Sequence, residues 1–268
     1  MDWSKAKTIL IVVFLILNVF LLFTALYANS SHGFQDYARY AEEYLRQRNI
    51  EIDAKIPQIT GQKGNIVYEA RDFDFSQLTR YVFGHEVART VTENSTVFAE
   101  DDNRIELTED ELMITSSLSD DSDRFKNSKA FLQMVYSFLD DIGYPQNNLT
   151  LQSSEETEST KAYVFNLKYK NDVLFDQFIR VDFQSDGLLT ITVPAKEVKR
   201  VNHFNSDILS AYQVLVMGGL PDGSVVKDVS FGYKQMSKGE LFDTPAWRFL
   251  LSDGTVYFFD AYTGEKPL

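Results

Sequence analysis

Nineteen consecutive residues, Ile9 to Tyr27 (ILIVVFLILNVFLLFTALY), have only Asn18 and Thr24 as polar members. Coiled as a helix at ~1.5 Å per residue, such a run reaches roughly 28 Å, close to the ~30 Å hydrocarbon thickness of a bilayer. Its length and apolarity predict one transmembrane helix. Lys5 and Lys7 stand just before it and the first charge after it is Asp36, so the positive-inside bias places the amino terminus in the cytoplasm and everything after the span outside. A cleaved signal peptide has a shorter apolar core, about 7–15 residues, and a small-x-small cleavage site. Here the core is longer and Ala25 and Ala28 lie three apart, so an uncleaved anchor is expected.

This reading divides the chain into a short cytoplasmic end (1–8), a membrane helix (9–28) and an external region (29–268). An end of about eight residues is too short to carry an activity inside the cell. Any message to the interior must then pass through another protein, by contact in the bilayer or outside it. Asn18 sits mid-span, where an amide needs a hydrogen bond and where interhelical bonds contribute about 0.6–2 kcal/mol. Ile11, Phe14, Leu22 and Ala25 share its helical face, making this face the candidate partner-binding surface. The alternative is that a very apolar helix simply tolerates one asparagine.

The net charge is −13, and because Asp2, Lys5 and Lys7 leave +1 before the span, the remainder carries −14. Such a surface repels phosphate backbones and anionic headgroups, which argues against nucleic acid and against further contact with lipid. The absence of cysteine removes disulfides, thiolate nucleophiles and cysteine-ligated metals, and mildly favours an exported bacterial protein. His32, His85 and His203 show no metal-ligand spacing, and no nucleophile or nucleotide-binding motif is present. The carboxylate pairs Asp101-Asp102, Asp120-Asp121, Asp140-Asp141 and Glu155-Glu156 place their members on diverging faces of any helix or strand, so they read as solvated charge. Asp120-Asp121-Ser122-Asp123 lacks the glycine and distal glutamate of a calcium loop. No catalytic, cofactor-binding or metal site is expected, and the chain reads as no enzyme.

Periodicity outlines the external region. Tyr37, Tyr40, Ala41, Tyr44 and Leu45 recur at helical spacing within an amphipathic helix from Phe34 to Ile50. Strands are read at 50–56, 65–73, 95–98, 104–107 and 112–115, with a helix at 76–83. The polar joint 119–124 separates two subdomains, 29–120 and 121–268. A second helix, from Phe125 to Ile142, ends at Gly143 and Pro145; strands follow at 149–152, 162–169, 177–183 and 188–193, with a hairpin at Gln184-Ser185-Asp186-Gly187. The acidic run 153–161 reads as an exposed loop. A third helix is expected from near Ser206, capped by Asn205 or Ser206, to Gly218-Gly219, then a strand at 225–235, a hairpin at 246–260 and a closing turn at 261–265. The predicted class is α+β, with helices packed on antiparallel sheets. Trp3 suits a membrane interface, whereas Trp247, among alternating aromatics, suits a core.

The opening Met1-Asp2-Trp3-Ser4-Lys5, with Leu17-Asn18-Val19-Phe20-Leu21 inside the span, resembles the start of the YycI (WalI) proteins. The end is similar to that family's closing hairpin, from Pro245-Ala246-Trp247-Arg248 through Asp253-Gly254-Thr255-Val256-Tyr257 to Asp260-Ala261-Tyr262-Thr263-Gly264-Glu265. It also resembles PepSY-type modules. The YycI resemblance implies a non-catalytic regulator of a WalK-type sensor histidine kinase that controls cell-wall metabolism in low-GC Gram-positive bacteria. It implies a YycH-type co-regulator as second partner, and the membrane helix as a contact with the kinase's spans. The competing reading is a membrane-tethered ligand-binding module or wall enzyme, which would require a cleft with converging carboxylates of shifted pKa.

Overall fold

A computed structural model describes residues 3–28, 32–59, 62–118, 127–203, 206–237 and 240–267, without the side chains of 4–6, 8, 9, 25–28 and 32–36. Residues 29–31, the joint 119–124 with the subdomain boundary and the calcium candidate, Phe125 and Asn205 lie outside the described residues.

Helix α1 covers Trp3–Ala28 and α2 His32–Gln47. From Leu10 to Phe23 the large apolar side chains of α1 are each 50–70% exposed. Among the described residues no helix is long and apolar enough to cross a membrane; in α1 the unbroken run of described side chains is 10–24. Helix α2 is amphipathic and buries Ala41 and Leu45 as its sequence predicts, but Tyr40, read in the same apolar set, is 60% exposed.

Strands β1 (Glu51–Ile52) and β2 (Gly64–Ala70) precede α3 (Phe75–Phe83), which is capped by Asp74 and closed by Gly84 in the left-handed region at φ 79°. Then come β3 (Thr90–Val91), β4 (Thr96–Glu100), β5 (Asn103–Leu107) and β6 (Glu111–Ser117). Helix α4 (Ser128–Asp141) leads into β7 (Leu149–Glu156), β8 (Thr160–Tyr169), β9 (Asp172–Gln184), β10 (Leu188–Pro194) and β11 (Lys196–His203). Helix α5 (Ala211–Gly218) and strands β12 (Val225–Lys234), β13 (Phe242–Leu251) and β14 (Val256–Asp260) complete the chain.

The strands join in one mixed sheet whose main path runs β11-β2-β13-β12-β9-β10-β6-β5-β4-β3. Most pairings are antiparallel, as expected for the class, but β1 and β9 both pair β12 in parallel. Those pairings join segments far apart in sequence, which alternation within each strand cannot reveal.

Two large cores form on this sheet. In the first, Phe131, Val135, Phe138 and Leu139 of α4 pack on Phe165, Ile179, Val181 and Ile191, and Phe131 stacks on Phe183 with centroids 4.7 Å apart. In the second, Leu45 of α2 and Val214 and Leu215 of α5 meet Trp247, Phe249 and Phe259. Trp247 is 1% exposed, a core residue as read from the sequence, and its indole donates to the Leu209 carbonyl at 2.8 Å. Trp3 is 75% exposed.

Several sequence expectations need correction. The third helix starts at Ala211, not near Ser206, because Ser210 and Gln213 form a reciprocal capping box while Leu209 is tied by its N–H to the Ala261 carbonyl. The acidic run 153–161 is not a loop: β7 and β8 extend through it to a tight turn at 157–159. Exposed edge residues need no apolar alternation to pair. The strand expected over 50–56 shrinks to Glu51–Ile52. Strand β11 has no counterpart in the sequence reading, since KEVKRVNH is a charged strand at the end of the sheet path.

Candidate functional site

The candidate site is built where the sheet passes from β9 to β12 and β13. Between Asn166 and Leu167 the β8–β9 register jumps, so that Phe175, Asp176 and Gln177 bulge from β9. Bulges of this kind re-aim side chains. Here the bulge carries Asp176 to the end of β12, where its carboxylate accepts from Lys234 Nζ at 2.5 Å and from the Gln235 N–H at 2.9 Å.

Beside it opens a cleft of about 590 Å³, walled by β2, the β5–β6 turn, the β9 bulge, the end of β10 and the segment entering β13. At its base Tyr68 of β2 donates its hydroxyl to Asp243 Oδ2 at 2.6 Å. Asp243 is only 4% exposed. Burial is the main cause raising its carboxyl to about 6; the Tyr68 hydrogen bond opposes this, and the charge of Asp176 adds to it. Burial and the facing Asp243 push the Tyr68 phenol above its ordinary range. At the rim stand Glu109, Glu111 and Glu240, together with Leu241, 84% exposed, and Phe178, 47% exposed. Lys196 also lines the cleft but is paired with Asp110 at 2.6 Å. The arrangement offers an anionic, partly apolar receptacle with one readily protonated carboxyl.

The sequence gives no warning of this site, because Tyr68 and Asp243 are 175 positions apart and neither belongs to a motif. The residues singled out from sequence lie elsewhere. Asn18 donates its amide to the Phe14 carbonyl of its own helix at 2.9 Å; Ile11, Phe14 and Leu22 are 61–65% exposed, and the side chain of Ala25 is outside the described residues. Among the carboxylate pairs, Asp101-Asp102, Asp140-Asp141 and Glu155-Glu156 are exposed, yet Glu156 accepts from Tyr163 and Ser128 at 2.6 and 2.8 Å. His85 faces Glu100 at 3.0 Å on the surface and His203 is exposed. Among the described residues no three His, Asp or Glu side chains converge to hold a metal.

The family model described as YycI protein matches residues 28–262. The chain belongs to the YycI family. This YycI-family membership makes it, in general terms, a regulator in the WalK/WalR two-component pathway. The match takes in the cleft and most of the closing hairpin but leaves the amino-terminal motif and nearly all of α1 outside. Comparison with curated proteins gives no match. Among solved structures, an uncharacterised protein from Eubacterium rectale ATCC 33656 is 12% identical to the YycI-family chain with a TM-score of 0.48, over 84% of this chain and 97% of its own. The YpeB C-terminal domain of Bacillus megaterium is 10% identical with a TM-score of 0.45, over 72% and 93%. Both are distant likenesses.

Proposed function

We propose that this YycI-family protein is a membrane-anchored, non-catalytic regulator that biases a WalK-type sensor kinase through helix contacts in the bilayer and contacts outside it, together with a YycH-type co-regulator. The supporting observation is the family match over 28–262 following directly on an apolar helix whose side chains from Leu10 to Phe23 are uncovered. An apolar sleeve of that size needs lipid or protein around it. Helix α2 follows the anchor and is fastened to the external fold, since Tyr212 of α5 donates to Glu42 at 2.7 Å and Arg48 binds the Leu220 carbonyl at 2.7 Å. Those ties hold α2 and its end to the fold. Regulation requires different contact with the kinase's two signalling states, because equal contact with both shifts nothing.

The chain has no cysteine, so single cysteines test the reading directly. In intact cells a membrane-impermeant maleimide should label Thr157→Cys and leave Ser4→Cys unlabelled until the cells are permeabilised. Crosslinks from Asn18→Cys and Phe14→Cys should capture the kinase, whereas Ile16→Cys and Phe20→Cys on the opposite face should not. Labelling of Ser4→Cys from outside overturns the topology. Capture of no kinase or co-regulator from any face reduces the helix to a tether.

A further inference from the structure

We propose that the cleft between β2, the β9 bulge and the start of β13 is a docking site for a cationic, apolar-flanked peptide segment of a partner protein. Three observations converge on an occupant of that chemistry.

The first is charge. Lys196 is paired with Asp110, Lys199 with Glu69 at 2.9 Å and Lys234 with Asp176, whereas among the described residues Glu109, Glu111, Glu240 and Asp243 form no ion pair. The second is Asp243, which is nearly fully buried and whose hydrogen-bond partner on Oδ2 is a neutral hydroxyl, while the cation that acts on it, Lys234, is itself paired with Asp176. A buried carboxylate is costly without a cation, and an incoming guanidinium or ammonium would supply one. The third is shape. The carboxylates do not converge as ion ligands do, which disfavours a bound metal and suits charges spread along an extended chain. Leu241 and Phe178 at the rim offer apolar contact to the residues between those charges.

This inference goes beyond the anchor and kinase reading and does not depend on it: the cleft can bind such a segment whether or not α1 touches a kinase. The test uses the full chain in uncharged maltoside micelles and a fluorescein-labelled hexapeptide alternating arginine and leucine, with its glutamate-leucine counterpart as comparison. Fluorescence anisotropy should report binding of the arginine peptide alone. Asp243→Asn and Glu240→Gln should each weaken it about tenfold, the loss typical of removing one member of a close charge pair. Glu158→Gln, an equal charge change on the distant β7–β8 turn, should leave it unchanged. Glu240→Gln, near the cleft entrance, keeps the test decisive if Asp243→Asn folds poorly. Equal loss in Glu158→Gln would mean diffuse attraction to an acidic surface and overturn the site, as would no binding of the arginine peptide or equal binding of the glutamate peptide.

Discussion

Tyr68 and Asp243 share a 2.6 Å hydrogen bond that joins the middle of β2 to the start of β13, fixing a nearly buried carboxyl at the base of the cleft. With its folded value near 6 and an ordinary value near 4, Asp243 holds a proton in the folded state over a range where the unfolded chain has released it. The sign follows: stability from this group is present at pH 4 and is lost as pH rises through 6, by up to about 3 kcal/mol. Asp243→Asn should flatten that part of the stability curve, measured by chemical denaturation between pH 4 and 7. An unchanged slope would show that the group does not titrate there.

Glu156 should behave oppositely. Hydrogen bonds from Tyr163 and Ser128 hold its carboxyl below the usual range, with Lys161 beside it. Its contribution is therefore present above the ordinary carboxylate value and lost as pH falls through the depressed one. Glu156→Gln should lower the melting temperature near neutrality and narrow the gap to wild type in acid; thermal melts at pH 7 and pH 3 compare the two.

Trp247 holds the second core through its ring, 5.1 Å from Phe231 in an edge-on contact, and through its N–H to Leu209. Trp247→Ala should cost about 3–5 kcal/mol, and Trp247→Phe less, since the ring remains and only the hydrogen bond and some volume are lost. Calorimetry of the two variants gives the order.

At Gly232 the parallel β9–β12 pairing leaves no room for a side chain: a Cβ there would lie 2.1 Å from the Val173 carbonyl oxygen. Gly232→Ala should destabilise by about 3 kcal/mol through forced separation of the strands. Urea denaturation would measure this, and a loss below about 0.5 kcal/mol, the range of an ordinary surface change, would show that the strands can part freely.

Tyr212→Phe removes the hydroxyl that reaches Glu42 while keeping the ring. Hydrogen exchange in α2 should quicken with little change elsewhere, because a lost local tie raises local opening before global unfolding.

Local pattern carried much of this protein. Apolar spacing outlined α2 and α4, alternation outlined β6, β8, β9, β10 and β12, and the Gln184–Gly187 hairpin was legible because Gly187 takes the positive φ of 93° that its turn requires. The apolar run in α1 and the absence of cysteine likewise needed no fold to be seen. What sequence could not hold was long-range: the parallel pairings onto β12, the charged strand β11, the continuation of β7 and β8 through acidic residues, and the meeting of Tyr68 with Asp243. The physical reason is that periodicity reports which face of an element is apolar, while pairing and burial of polar groups depend on what the rest of the chain brings alongside. An aspartate after Phe242 reads as solvated charge until the fold sets it against β2 and removes its water; only then does it become the buried carboxyl of a cleft.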